Sequence, residues 1–207
     1  MSSILTRASR GLLFMVLALS LAASVILSAE ASLSPSGDVL KFTATSSESR
    51  ASTKYWYWMI SNEAYTFQKG DALEYDVYLE TDGPGLGAVE VFNNDGTWFR
   101  DQEDWLDQNG RRGHPGTDIA KLAFGKWYHR VMKVPSGMIG KTSGDFSVAV
   151  EFASRAKTYV TYYDNIVITN KGQVVKKIYT DGQPTVNESR GGQEYTCQLE
   201  VVPLPKK

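Results

Sequence analysis

Apolar and polar positions alternate in short runs along the chain after residue 31, and no stretch there holds a helical apolar period over three turns. Asp71–Glu80 is the clearest run. Leu73, Tyr75, Val77 and Leu79 fall on one face of an extended segment, and Glu74, Asp76, Tyr78 and Glu80 on the other. Asp145–Phe152 repeats the pattern, which predicts Phe146, Val148, Val150 and Phe152 on the inner face. Further runs at Val39–Thr45, Tyr55–Ile60, Leu86–Phe92, Lys126–Val134, Tyr159–Thr169 and Val174–Tyr179 are punctuated by Gly, Pro, Asn and Asp, the residues that favour turns. Eight short strands of this kind predict an all-β fold, a two-sheet antiparallel β-sandwich. Residues 180–194 are polar and rich in turn formers, and read as a loose segment followed by one weak edge strand at Tyr195–Val202. The sandwich domain is thus placed at 32–180 and a polar C-terminal tail at 181–207.

Residues 1–31 follow another rule. Arg7 and Arg10 precede a charge-free run at 11–27, and Ala29-Glu30-Ala31 supplies a small-x-small cleavage pattern. This is the layout of a secretory signal peptide. It predicts a mature terminus at Ser32 and a secreted, periplasmic or cell-envelope protein with no stable membrane insertion once the leader is cleaved. The competing reading is a retained anchor, for which the 17-residue run lies at the lower edge of the length that spans a bilayer.

Composition narrows the class. With 42% hydrophobic and 12% aromatic residues, the chain has the means to bury a core and is not a disordered polar chain. Its 22 basic and 23 acidic residues give a net charge of −1, which lacks the basic excess of a nucleic-acid binder. Cys197 is the single cysteine, so no intrachain disulfide forms, and with His114 and His129 it falls short of a four-ligand zinc site.

One segment breaks the alternation. Residues 93–117 combine Trp98, Phe99 and Trp105 with three Arg, five acids and His114. Irregular connections longer than about 12–15 residues are usually functional or disordered, and the aromatic content argues for function.

The succession DALEYDVYLE, DGTWFRDQ, LDQNGRRGHPG, LAFGKWYHRVMKV and TYYDNIVI, covering about residues 38–179, resembles the galactose-binding-like jelly-roll modules. Many carbohydrate-binding modules of secreted bacterial glycan-degrading enzymes share that fold. The resemblance implies a jelly roll, sugar binding and often a structural calcium ion, without fixing the sugar.

Sugar rings present an apolar C–H face, on which aromatic rings stack, and an edge of hydroxyls, which polar side chains read. Trp98, Arg100, Asp101, Trp105, Asp107, Gln108 and His114 meet that need. Each Trp serves either as a stacking face or as a plug at one end of the sandwich, and Arg100 and Asp101 either read hydroxyls or pair with each other. Tyr55-Trp56-Tyr57-Trp58 must point alternately to both faces of its strand. Parity leaves open which pair is outward, and Trp58 is taken as a further candidate contact. Trp127 is expected in the core and His129 half-buried on the same face. Asp164, inside an apolar strand, needs either backbone hydrogen bonds or a metal. The resemblance makes it a calcium ligand, with Asp38 or Asp71 as a companion.

Two enzyme readings compete. Glu74, Asp76 and Glu80 resemble the acidic strand motif of laminarinase-like sandwich hydrolases, although the last spacing is four rather than three, and a solvated outer face is the favoured reading of them. A polysaccharide lyase would draw its groups from around His114. The reading favoured by the residues is a non-catalytic module binding a poly- or oligosaccharide. The alternatives are a small sandwich glycoside hydrolase or lyase, and an envelope adhesion or scaffold protein.

Overall fold

All eight alternating runs form strands, and they pair antiparallel throughout. In the computed structural model, which describes residues 35–46, 53–81, 87–116, 122–153, 157–193 and 195–205, the strands are β1 (Asp38–Ser46), β2 (Thr53–Ser61), β3 (Asp71–Leu79), β4 (Ala88–Asn93), β5 (Trp127–Lys133), β6 (Ser143–Ala153), β7 (Lys157–Asn170), β8 (Gln173–Tyr179), β9 (Glu188–Gln193) and β10 (Thr196–Pro203). The chain divides into two units, Met1–Glu30 and Ala31–Lys207, and every described residue belongs to the second. The leader and the Gly83-Pro84-Gly85 turn lie outside the described residues. No helix among the described residues is long and apolar enough to cross a membrane.

The strands make a β-sandwich. One sheet runs β10-β1-β7-β3-β5 with β8 also on β7, and the other runs β4-β6-β2-β9. Period-two alternation supplies both inner faces. Leu40, Phe42, Leu73, Tyr75, Val77, Met132 and Tyr163 come from the six-stranded sheet, and Val89, Val91, Phe146, Val148 and Val150 from the four-stranded sheet. Trp56 and Trp58 pair with Val150 and Val148, share their inward face, and pack against this core.

β7 is long enough to serve two neighbours on one side: its first half pairs with β1 and its second half with β8. The exchange occurs at Asp164-Asn165. Asn165 takes φ +50°, a left-handed conformation that Asn tolerates, and the facing ladder with β3 slips between Glu74 and Asp76.

The edge strand expected at Tyr195–Val202 is present as β10, whereas the segment read as loose before it contains a further strand, β9. β10 pairs with β1 from Asp38 to Thr45, and β9 closes the four-stranded sheet against β2. At Gly192 of β9 the partner strand leaves no room for a side chain. A Cβ on Gly192 would lie 2.1 Å from the Tyr55 carbonyl oxygen and 2.6 Å from Trp56 Cα.

The outer face of the six-stranded sheet also differs from expectation. Trp127 pairs with Tyr78 and lies outward, its ring 5.6 Å from that of Tyr78, rather than in the core. Glu74 and Asp76 are not a solvated row. His129 Nδ1 lies 3.0 Å from Asp76 Oδ1 and Nε2 3.3 Å from Glu74 Oε2, and Asn165 Nδ2 donates to Asp76 Oδ2 at 2.7 Å. Asp76 is therefore 2% exposed although its side points away from the core. The hydrogen bonds to Asp76 and Glu74 raise the His129 pKa to about 9, against the opposing pull of burial. The His129 bond in turn lowers that of Glu74.

Candidate functional site

The loop after β4 is ordered by the edges of both sheets. Phe99 N–H donates to the Val91 carbonyl at 3.1 Å and Asn93 N–H to the Thr97 carbonyl at 2.9 Å, so residues 97–99 return beside β4. Farther on, Lys133 N–H donates to the Leu106 carbonyl, and the Gln108 side chain brackets β5. Its Nε2 donates to the His129 carbonyl at 2.7 Å and its Oε1 accepts the Val131 N–H at 2.9 Å. Two edge strands that would otherwise offer unpaired backbone are thus covered by one loop.

Alternation persists where the loop runs beside β4. Phe99 turns inward and is fully buried against Phe67 and Trp105, with ring centroids 4.7 and 5.4 Å away. Trp98 and Arg100 turn to the outer face of the four-stranded sheet. Trp98 packs on Phe92 at 4.4 Å and on Tyr57 at 5.3 Å. The Arg100 guanidinium lies 4.7 Å from the Trp98 ring and 5.2 Å from that of Tyr57, a cation–π arrangement. Its Nη1 donates to the Tyr57 hydroxyl and to Glu151 Oε2, the latter at 3.2 Å.

β9 supplies the opposite wall. Arg190 reaches Asp145 Oδ2 at 2.8 Å, and its guanidinium sits 4.4 Å from the Phe92 ring. Gly191 and Gly192 beside it leave the backbone bare. Tyr55, Tyr57, Trp98, Arg100, Arg190, Gly191 and Gly192 together line an open cavity of about 340 Å³. That volume lies within the range of small-molecule sites.

Beneath the loop lies Glu90, fully buried on this same face. Its Oε1 accepts the N–H groups of Val91 and Arg100, both at 3.1 Å, and its Oε2 has no partner among the described residues. Burial lifts its pKa well above the usual carboxylate range, against the pull of the Arg100 and Val91 N–H groups. His114 accepts the Gly116 N–H on Nδ1 at 2.9 Å. Burial, helped by the charges of Arg100 and Arg112, lowers its pKa against the pull of Glu151.

Of the residues chosen from sequence, Trp98 and Arg100 line the cavity. Asp101 is an exposed neighbour, 3.6 Å from Arg100 Nε. Trp105 is 1% exposed and is a plug, pressed so closely on Gly113 that a Cβ there would fall 2.6 Å from its ring. Asp107 is structural: Oδ1 accepts from Asn109 and Arg111 N–H at 2.9 Å, and Oδ2 pairs with Arg130 Nε at 3.1 Å, both side chains being 1% exposed. Gln108 is spent on β5, as described. Trp58 faces the core side, its Nε1 donating to Asn187 Oδ1 at 2.7 Å.

The proposed metal residues Asp164 and Asp38 lie near the start of β1, where both, with Asp181, act on the Tyr179 hydroxyl. Asp164 is fully buried, and its oxygens accept the N–H of Asn165 at 2.7 Å and of Ser36 at 3.1 Å. Burial raises its pKa to about 6. The backbone of Asp38 is held by Asp181 and by the Tyr179 hydroxyl. Asp71 is taken up by Tyr65, Gln68 and Asn170. Among the described residues no group of three or more His, Cys, Asp or Glu is disposed to hold a metal ion.

Sequence reasoning left Tyr55 and Tyr57 undecided and missed Arg190, Gly191 and Gly192. The available signal was the Arg-Gly-Gly run itself, since paired glycines in a strand mark a close backbone approach. No family model matches the chain, and no curated protein matches it significantly.

Proposed function

We propose that this protein is an exported, non-catalytic β-sandwich that binds a poly- or oligosaccharide on the outer face of its four-stranded sheet. One observation carries the reading: the rings of Trp98, Tyr57 and Tyr55 and the guanidinium groups of Arg100 and Arg190 share one open cavity. Aromatic rings suit the C–H face of a sugar, and Arg donors suit its oxygens. The export part of the reading rests on the leader-like residues 1–31.

A second reading, a hydrolase or lyase at the same cavity, draws on Glu90, whose raised pKa is what a general acid needs. Binding is favoured because Glu90 is 0% exposed and sealed behind the Arg100 backbone, out of reach of a ligand. The other acid pair, Glu74 and Asp76, is engaged by His129, and the pKa of Glu74 is lowered rather than raised. A glycan array run beside a reducing-sugar release assay and a 235 nm absorbance assay for unsaturated uronates tests the choice. Glycan retention without product supports binding, and product from a retained glycan replaces it with catalysis.

A further inference from the structure

Resting on the sugar-binding reading, we infer that the ligand is an acidic glycan whose carboxylate or sulfate is held between Arg100 and Arg190. The two charged residues that line the cavity are both arginines, and they enter from opposite walls, one from the loop after β4 and one from β9. A guanidinium only donates hydrogen bonds, whereas a neutral hydroxyl both donates and accepts. Walls charged in this way match an acceptor-only oxyanion better than a row of hydroxyls.

Each guanidinium is fixed from behind rather than cancelled from within the cavity. Glu151 holds Arg100 at 3.2 Å and Asp145 holds Arg190 at 2.8 Å, and the two carboxylate side chains are only 12% and 5% exposed. Rings complete the support, Tyr57 and Trp98 for Arg100 and Phe92 for Arg190. These contacts restrict both forks before the ligand arrives, which lowers the entropy lost on binding. Arg100 Nε is buried with no hydrogen-bond partner among the described residues, the nearest carboxylate oxygen being Asp101 Oδ1 at 3.6 Å. Gly191 adds no side chain that would screen the cavity.

The test titrates the full chain at low salt with polygalacturonate, its carboxyl-reduced neutral counterpart, dextran sulfate and dextran. The expected result is at least tenfold tighter binding of one anionic polymer than of its neutral partner. That preference should fall at least tenfold in Arg190→Gln and be partly kept in Arg190→Lys, with both variants still unfolding in a single cooperative transition above the temperature of the titration. Lys177→Gln, on the exposed part of β8, controls for nonspecific charge and should leave the preference intact. The pair that discriminates tells carboxylate from sulfate. Neutral polymers bound as well as the anionic ones would overturn the acidic ligand and leave sugar binding standing. No binding to any of the four, together with an empty glycan array, would overturn both. An anionic preference unchanged in Arg190→Gln would place the anion elsewhere and overturn the inference.

Discussion

The Arg100 guanidinium meets the Glu151 carboxylate at 3.2 Å, joining the loop after β4 to the far end of β6. This contact fixes the side of the cavity that a sequence reading places only in an irregular loop. Both side chains are more than three-quarters buried, so the pair is neither a free surface bridge nor fully desolvated. Replacing Glu151 with Leu leaves Arg100 without its largely buried charge partner, with only the exposed Asp101 remaining. The expected cost is about 1–3 kcal/mol in a denaturant melt, with glycan binding weakened as Arg100 swings away. Glu151→Gln should keep most of both.

The Asp107–Arg130 pair is the stricter structural requirement. Each side chain is 1% exposed, and Arg130 also donates to the Tyr75 hydroxyl at 2.9 Å and the Arg112 carbonyl at 3.1 Å. Removing one charge strands the other, at a typical cost of about 3–5 kcal/mol. Asp107→Ala is therefore expected to lower the denaturation midpoint far more than Asp101→Ala, although both aspartates sit in the same loop. Equal midpoints for the two variants would contradict the buried pairing.

His129 gives the fold a pH dependence of definite sign. Its pKa is raised from 6.5 to about 9 in the folded protein, first by Asp76 and then by Glu74. The folded state thus holds a proton that the unfolded chain releases. The stabilisation is fully present below pH about 6.5 and is lost as pH rises through about 9. With 27% of the side chain exposed, screening reduces it to on the order of 1–2 kcal/mol. Melting temperatures measured from pH 6 to 10 should fall in wild type, and this component should vanish in His129→Gln.

Glu90 carries the same sign for a different reason. Burial disfavours its charged form, so the folded state keeps a proton that the unfolded chain loses near pH 4.5. This group's contribution to stability falls as pH climbs from about 4.5 toward its raised folded value. A Gln at this position keeps an acceptor for the Val91 and Arg100 N–H groups without a charge to bury. Glu90→Gln is expected to be at least as stable as wild type at pH 7, with the difference shrinking toward pH 4.5. Strong destabilisation at pH 7 would mean that Glu90 is charged in the fold.

The alternating strands were legible because burial acts on every second residue. Leu73, Tyr75, Val77 and Leu79 announce β3 without any knowledge of its partners. β9 was not legible, since its Gly192 answers to the Tyr55 and Trp56 backbone, a constraint that exists only once the strands pair. For the same reason Arg190 could not be assigned to the cavity. In the loop, Trp98 and Trp105 look alike in sequence. They are separated by which one shares the inward side with Phe99, and that depends on the 97–99 segment lying against β4. Trp127 was misplaced because a Trp after Gly125-Lys126 reads as apolar core, whereas its register with Tyr78 turns it outward.

The central claim is that the cavity beside Trp98 binds a glycan, and the most direct measurement is a glycan array probed with the full chain and with Trp98→Ala in parallel. The expected result is retention of a chemically related set of glycans by wild type. Affinity for them should drop about 30-fold in Trp98→Ala, corresponding to about 2 kcal/mol for a central aromatic contact, while the variant's melting curve stays close to that of wild type. Wild-type protein that retains no glycan, or equal retention by both proteins, would contradict the account.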